Sequence, residues 1–225
     1  FSAFLNFGPF TICSFSPERF IKLNNNIITT SPIKGTIKRS DDPVIDNQLK
    51  EELSSSEKNI AENLMIVDVL RNDISRVSKN GSVEVTELAK IKSYKNVHHL
   101  VSTIKGLLSE KLDAIDLLFA TLPGGSITGA PKIRAMEIIS ELEKNRRGVY
   151  CGAIGFISLS KDSDFNIPIR TLTIADDTIS INCGGGIVSD SNAESEYQES
   201  IDKIENILRE NRKKIIKQSS NVNQK

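Results

Sequence analysis

The 225-residue chain lacks a net charge: 29 Lys plus Arg stand against 29 Asp plus Glu. Nucleic-acid wrappers and acidic-tail proteins both work through charge of one sign, so both classes are excluded. No apolar run approaches the ~20 residues that span a bilayer, which excludes a membrane span. Neither the compositional bias of a disordered tail nor a collagen-like repeat is present. Cysteine is scarce. Cys13, Cys151 and Cys183 are odd in number, far apart and without CxxC spacing, so they build neither a disulfide framework nor a zinc cluster. They read as buried, reduced thiols of a cytoplasmic protein. The opening Phe1-Ser-Ala-Phe-Leu5 has no initiator Met, no basic n-region and no cleavage site, and reads as mid-strand text of something longer.

What is present is globular text, with 38% hydrophobic and 26% charged residues, enough to bury a core. Phe10-Thr-Ile-Cys-Ser-Phe15, Phe20-Ile-Lys-Leu23 and Ile27-Ile-Thr-Thr30 are short β-rich runs with polar turns at Ser16-Pro17-Glu18 and Asn24-Asn25-Asn26, an antiparallel meander. Lys38 to Asn47 is polar and predicts a loop. From Gln48 to Val77 the period becomes helical through Leu49, Leu53, Ile60, Leu64, Val67, Leu70 and Ile74, with Gly81 closing the stretch. Short helices are predicted from Asp116 to Leu122 and from Ala130-Pro131 to Asn145, the latter with Pro in its first turn. Val149–Leu159, Ile167–Ile174 and Thr178–Cys183 form a second strand set, turning at Asp176-Asp177. A last helix starts near Ala193, with Ile201, Ile204 and Leu208 on its core face. Strands then helices, twice over, predict an α+β fold of antiparallel sheets packed with helices. Residues 1–212 read as one catalytic domain and 213–225 as a frayed polar tail.

Several stretches are costly for a simple core. Leu122-Pro-Gly-Gly-Ser-Ile-Thr-Gly-Ala-Pro-Lys132 sets glycines and the hydroxyls of Ser126 and Thr128 before a helix, where backbone N–H groups can face an anion. It is no nucleotide P-loop, because Ala130-Pro131 replaces the Lys-Ser/Thr pair; a carboxylate or hydroxyl site and a plain helix-leading loop both remain. Gly184-Gly185-Gly186 requires either close approach to the backbone or a tight turn. Glu196, Glu199 and Lys203 share one helix face, which is either a solvated charge pattern or, with Glu62, a set of carboxylates for a hard divalent cation. Lys34, in a Pro-Gly loop, is a surface cation or a nucleophile. His98 and His99, the only histidines, are packed or acid/base groups. Arg170 faces a concave site or solvent.

Taken together, Ser16-Pro-Glu-Arg-Phe20, Pro32-Ile-Lys-Gly-Thr36, Glu62-Asn-Leu-Met-Ile-Val-Asp-Val-Leu-Arg-Asn-Asp73, His98-His-Leu-Val-Ser102, Pro123-Gly-Gly-Ser-Ile-Thr-Gly-Ala-Pro-Lys-Ile-Arg-Ala-Met136, Ile169-Arg-Thr171 and Gly184-Gly-Gly-Ile-Val188 resemble, in this order, the chorismate-utilising enzymes. These include the anthranilate, isochorismate and salicylate synthases and component I of aminodeoxychorismate synthase. The resemblance reaches to about Leu208. The lysine of Pro-Ile-Lys-Gly-Thr and the Pro-Gly-Gly-Ser-Ile-Thr-Gly block are similar to the aminodeoxychorismate branch; anthranilate synthases usually carry Ala at that lysine position. Family members are roughly twice this length, so the resemblance also implies an absent N-terminal half and open apolar faces.

The resemblance implies amination of chorismate at C4, giving 4-amino-4-deoxychorismate on the path to para-aminobenzoate and folate, with ammonia from a glutamine amidotransferase. Lys34 would be the nucleophile, Glu18 the general acid and His99 a substrate-facing histidine. Glu62 and Glu199, with Glu196 beside them, would hold Mg²⁺. Tyr150, Arg170 and Lys203 would hold the enolpyruvyl carboxylate, aided by the Gly184, Gly185 and Gly186 backbone. Ser126 and Thr128 would meet the ring, and Gly35 and Thr36 would line the site beside Lys34. Anthranilate or isochorismate synthesis, and chorismate binding without turnover, are the alternatives.

Overall fold

A computed structural model of the chain describes residues 1–189, 191–205 and 207. The chain opens with strands β1 (Ser2–Asn6), β2 (Phe10–Phe15), β3 (Arg19–Asn24), β4 (Ile27–Thr30) and β5 (Ile33–Lys38). Helices α1 (Pro43–Ser55) and α2 (Glu57–Ser75) follow, then a long hairpin of β6 (Glu84–Ser93) and β7 (Val97–Leu107). Next come α3 (Ala114–Thr121), a 3₁₀ turn at Gly125–Ile127, and α4 (Lys132–Leu142). Strands β8 (Ile154–Ile157), β9 (Ser163–Asn166), β10 (Thr171–Ala175) and β11 (Thr178–Ile181) complete the sheets. A helix over 193–205, α5, ends the described chain.

The α+β expectation holds. One sheet has the order β1-β2-β10-β11 and the other β5-β7-β4-β3-β9-β8, with β6 on the far side of β7. All the pairings are antiparallel. Asn25 and Asn26 both take positive φ (49° and 62°), so the β3–β4 loop has the handedness that matches strand twist. The chain passes from the first sheet to the second at 16–18 and returns at 167–170. These two crossings are joined: Ser16 Oγ donates to Ile167 O at 2.5 Å, Ile167 N to Glu18 O at 3.2 Å and Phe15 N to Arg170 O at 3.1 Å.

The core lies between the larger sheet and helices α2 and α3, with Phe20, Ile28, Ile66, Ile74, Ile104 and Leu117 among its fully buried members. Each such side chain contributes roughly 1.5–3 kcal/mol by leaving water. Lys132 locks the loop that follows α3 onto this core. Its Nζ donates to Asp73 Oδ2 at 2.5 Å, Pro123 O at 2.6 Å and Thr121 O at 3.0 Å. Gly124 and Gly125 permit that fit: a Cβ on Gly124 would stand 3.2 Å from Ile167 Cδ1, and one on Gly125 would stand 2.6 Å from Val69 Cγ1. The loop's glycines thus answer to packing. Ile127 N and Thr128 N are used within the loop, on Gly124 O and Gly125 O, so they do not form an anion cradle.

Several expectations are corrected. The segment from Lys38 to Asn47 is not all loop: α1 begins at Pro43, capped by Asp42, which accepts from Val44 N and Ile45 N. The single helix expected over 48–77 is two, broken at Ser56, whose side chain caps α2. The second ends at Ser75, well before Gly81. Leu64 is 42% exposed while its neighbour Asn63 is fully buried. Pro131 is the N-cap of α4 and not part of its first turn, and α4 stops at Leu142. The strands expected at Val149–Leu159 and Ile167–Ile174 shrink to β8 and β10, and the polar β9 lies between them. Of the cysteines only Cys151 is buried; Cys13 and Cys183 are half-buried. In α5, Ile204 is buried and Ile201 is 37% exposed, and Leu208 and the tail from 213 lie outside the described residues. One face of the smaller sheet is open, with Phe4, Phe15 and Ile179 each more than half exposed.

The Lys132–Asp73 pair gives a stability test. Both side chains are largely buried, 15% and 8% exposed, so removing the ammonium leaves a buried carboxylate and two carbonyls without a donor. Lys132→Met is expected to lower stability by roughly 3–5 kcal/mol in urea unfolding. Adding Asp73→Asn should cost much less than it does alone, because the partners share one network.

Candidate active site

Lys34 of β5, Tyr150, and Glu196, Glu199 and Lys203 of α5 stand near the stretch 184–186, with Glu18 within reach of the Lys34 charge and His99 within reach of the Arg170 charge. At the first crossing, Ser16 Oγ accepts from Glu18 N at 3.1 Å and so fixes the Glu18 backbone. The Glu18 side chain is buried at 8% exposure. Burial pushes its carboxyl above the ordinary glutamate range; the Ser126 hydroxyl and the Lys34 charge pull it back. Ser126 Oγ is itself buried and meets no hydrogen-bond geometry among the described residues. A carboxyl that tends to keep its proton beside an amine is the pairing that general-acid chemistry needs.

Lys34 is aimed by an irregularity in β5. Ile33 pairs with Val101 and Thr36 with His99, so Lys34 and Gly35 together oppose Leu100 alone. Gly35 takes φ +82°, and a Cβ there would stand 3.0 Å from Leu53 Cδ1 and from Asn59 Cγ. Its visible role is therefore to let the bulge pass under α1 and α2. Two residues on, Thr36 Oγ1 and His99 Nδ1 are 2.8 Å apart. Burial, and then the Arg170 charge, lower the His99 pKa, so the imidazole is neutral near pH 7. Arg170 sits at the second crossing with φ +50°, off the strand in which the sequence placed it.

The Gly184–Gly186 stretch is a wall. None of its glycines has the left-handed φ of a tight turn. Side-chain ends stand close to this backbone, most tightly at Gly185. A Cβ on Gly184 would stand 3.5 Å from Tyr150 Oη, and one on Gly186 would stand 3.8 Å from Lys34 Nζ. On Gly185 it would stand 3.0 Å from Glu196 Oε2, 3.6 Å from Lys203 Nζ and 3.8 Å from Glu199 Oε1. Lys203 pairs with Glu199 at 2.6 Å and donates to Gly184 O at 3.1 Å. Ser191 Oγ donates to Glu196 Oε1 at 2.6 Å. Tyr150 is held neutral, its hydroxyl pushed up by burial. A cavity of about 290 Å³ between α4 and this region is lined by Thr128, Arg147 and Tyr150.

Two expected members stand apart. Thr128 Oγ1 is committed to Gly124 O at 3.0 Å. Glu62 is half-buried on α2, and among the described residues no three His, Cys, Asp or Glu form a group that could hold a metal. Glu196 and Glu199 meet at Gly185. Sequence reasoning missed Arg147, which ties the Tyr150 turn to the loop by donating to Ile127 O at 3.1 Å while its other nitrogens hold Glu143. The i, i+4 spacing of Glu143 and Arg147 was the available signal.

This fold has counterparts. The profile of the chorismate binding enzymes matches residues 1–209, and the chain belongs to that family. Within it, aminodeoxychorismate synthase component 1 of Salmonella typhimurium is 55% identical over 208 residues, covering 92% of this chain and 46% of the relative. Anthranilate synthase component 1 of Cereibacter sphaeroides is 44% identical, covering 93% of this chain and 42% of the relative. The crystal structure of anthranilate synthase component I from Streptococcus pneumoniae matches with a TM-score of 0.82 at 44% identity, over 90% of this chain and 45% of that one. The isochorismate synthase MenF of Escherichia coli matches at 0.79 and 26%, over 89% and 46%. The chain spans about half the length of the curated relatives it matches.

The Glu18 environment sets a pH dependence. Because the folded state holds the proton more tightly than the unfolded chain, Glu18 costs no stability below its ordinary value of 4.5. The cost grows as pH rises from there through the elevated folded value. Glu18→Gln should therefore gain melting temperature relative to the wild type at pH 7.5 and lose that advantage at pH 4, as scanning calorimetry would show.

Proposed function

We propose that this chain carries the chorismate-handling site of an aminodeoxychorismate synthase, which replaces the C4 hydroxyl of chorismate by an amino group. The observation that carries the reading is the Lys34 amine, poised at the glycine wall with the buried Glu18 carboxyl beside it. The 55% identity to an aminodeoxychorismate synthase component 1, against 44% to an anthranilate synthase, supports the branch. So does the lysine in the Pro-Ile-Lys-Gly-Thr block.

In this mechanism the Lys34 nitrogen attacks C2, both ring double bonds shift (C1=C2 to C1=C6 and C5=C6 to C4=C5) and the C4–O bond breaks. Glu18 gives its proton to the departing oxygen, which leaves as water. Ammonia then attacks C4, both double bonds return, and Lys34 leaves with its electron pair. Two allylic displacements retain configuration at C4. Lys203, Tyr150 and Arg170 would bind the enolpyruvyl carboxylate, and neutral His99 would present its ring edge to the substrate. The Glu196–Glu199 pair suits Mg²⁺, which takes few carboxylates and fills its shell with water and substrate oxygens. Bound there, the ion would neutralise the ring carboxylate. Ammonia would come from a glutamine amidotransferase; the name "component 1" carried by the relatives fits a partner that supplies it.

The test is intact-mass measurement after incubation with chorismate and Mg²⁺ in the absence of ammonia. The wild type should gain the mass of chorismate less water, and Lys34→Ala should gain nothing. Chorismate that binds without forming an adduct would remove Lys34 from the mechanism. In that case anthranilate, isochorismate or no product, separated by chromatography, identifies the alternative.

A further inference from the structure

The hairpin joining β6 to β7 carries Tyr94 at its tip, and its bracing exceeds what a surface turn needs. Tyr94 N donates to Val97 O at 2.8 Å, which closes the turn. Arg39 grips it from outside: its backbone N donates to Asn96 O at 3.0 Å and its Nη1 to Tyr94 O at 3.2 Å. Arg39 is held in turn by Asp46 of α1, through Nη2 to Oδ2 at 2.8 Å. Asp46 also meets His98 Nε2 at 3.0 Å and accepts from Ser40 N at 3.1 Å, while His98 Nδ1 pairs with Ser93 Oγ at 2.8 Å. Asp46 and His98 are buried, His98 completely. Unmaking such a network exposes nothing useful and leaves a buried charge unpaired, so its geometry is stiff.

The stiffness is directed at one ring. His98 and His99 are successive in β7 and so point to opposite faces. Behind the strand His98 belongs to the brace; in front, His99 meets the Tyr94 ring edge-on, with centroids 5.4 Å apart and planes at 60°. Thr36 already holds His99 Nδ1. Between a hydrogen bond at one nitrogen and an aromatic ring against its side, the imidazole has one orientation, and Nε2 makes no hydrogen bond among the described residues. Tyr94 is 51% exposed, so burial of its own ring does not explain the bracing.

We propose that Tyr94, held by the Arg39–Asp46–His98–Ser93 network, is a positioning residue that fixes the His99 imidazole with Nε2 presented to the substrate. The proposal rests on the reading of His99 as substrate-facing. The chain's two histidines make the test direct. Histidine-labelled protein is followed by NMR, His99 being assigned with His99→Gln, and chorismate binding with Mg²⁺ is measured by calorimetry. In Tyr94→Ala the His99 ring carbon and nitrogen signals should move toward averaged tautomers while those of His98 stay. Tyr94→Phe, which keeps the ring, should restore the wild-type spectrum. Chorismate affinity should fall about two- to tenfold in Tyr94→Ala, the range of an aromatic pair, and return in Tyr94→Phe. His99 signals unchanged in Tyr94→Ala overturn the proposal, whatever chorismate does. Moved His99 signals in a protein whose wild type binds no chorismate support the positioning role and overturn the chorismate reading.

Discussion

One ammonium group sets the geometry on which the site depends. Lys132 Nζ joins the side chain of Asp73 on α2 to carbonyls at the end of α3 and in the loop beyond it. That junction presses Gly124 and Gly125 against Phe20, Ile167 and Val69, where no larger residue fits. Ser126 is thereby carried to the Glu18 carboxyl. A buried ion pair is a doubtful source of net stability, because desolvation offsets its attraction. Its use here is to specify one arrangement of a loop that has few side chains of its own to hold it.

The charge pattern around the glycine wall follows from the same economy of space. Lys34, Lys203 and Arg170 are the basic side chains of this region; Glu196 and Glu199 supply the opposite sign at Gly185. Two neutral groups, His99 and Tyr150, complete the ring, each kept uncharged by burial. Burial raises the Glu18 pKa above the ordinary glutamate range, and Ser126 and Lys34 pull against it. The family shared with anthranilate and isochorismate synthases is consistent with a common pocket in which small changes around the nucleophile redirect the chemistry.

The α+β class, the β3–β4 hairpin with its asparagine turn, and the last helix were legible because local pattern and tertiary fate agree there; the meander was not, since β2 pairs with β1 and β10 in the smaller sheet while β3 and β4 lie in the larger one. The break at Ser56 was hidden, since the apolar period runs on through Leu53 and Ile60 across the cap. The β6–β7 hairpin was invisible to an alternation test: β6 does alternate in exposure, but Glu87 takes a half-buried position and Leu88 an exposed one, so its apolar letters do not follow the period of two. The polar β9 is a strand because Asp164 takes Arg19 and Asn166 takes Phe1 O, partners distant in sequence. At the site, the ordered blocks pointed to the residues around 184–186, and the glycine run had close approach among its readings. Whether carboxylates on different helices form one group could not be read, because helical spacing fixes faces and says nothing of the gap between helices; among the described residues no three His, Cys, Asp or Glu do so.

The two crossings between the sheets have a mechanical meaning. Glu18 rides on one and Arg170 on the other, and hydrogen bonds weld the pair into a single strut. Lys34 and His99 ride on the larger sheet alone. Any rocking of the smaller sheet, whose outer face is bare at Phe4 and Phe15, would move the Glu18 carboxyl and the Arg170 guanidinium together against the Lys34 amine. Whatever leans on that bare face bears on the spacing of those three groups.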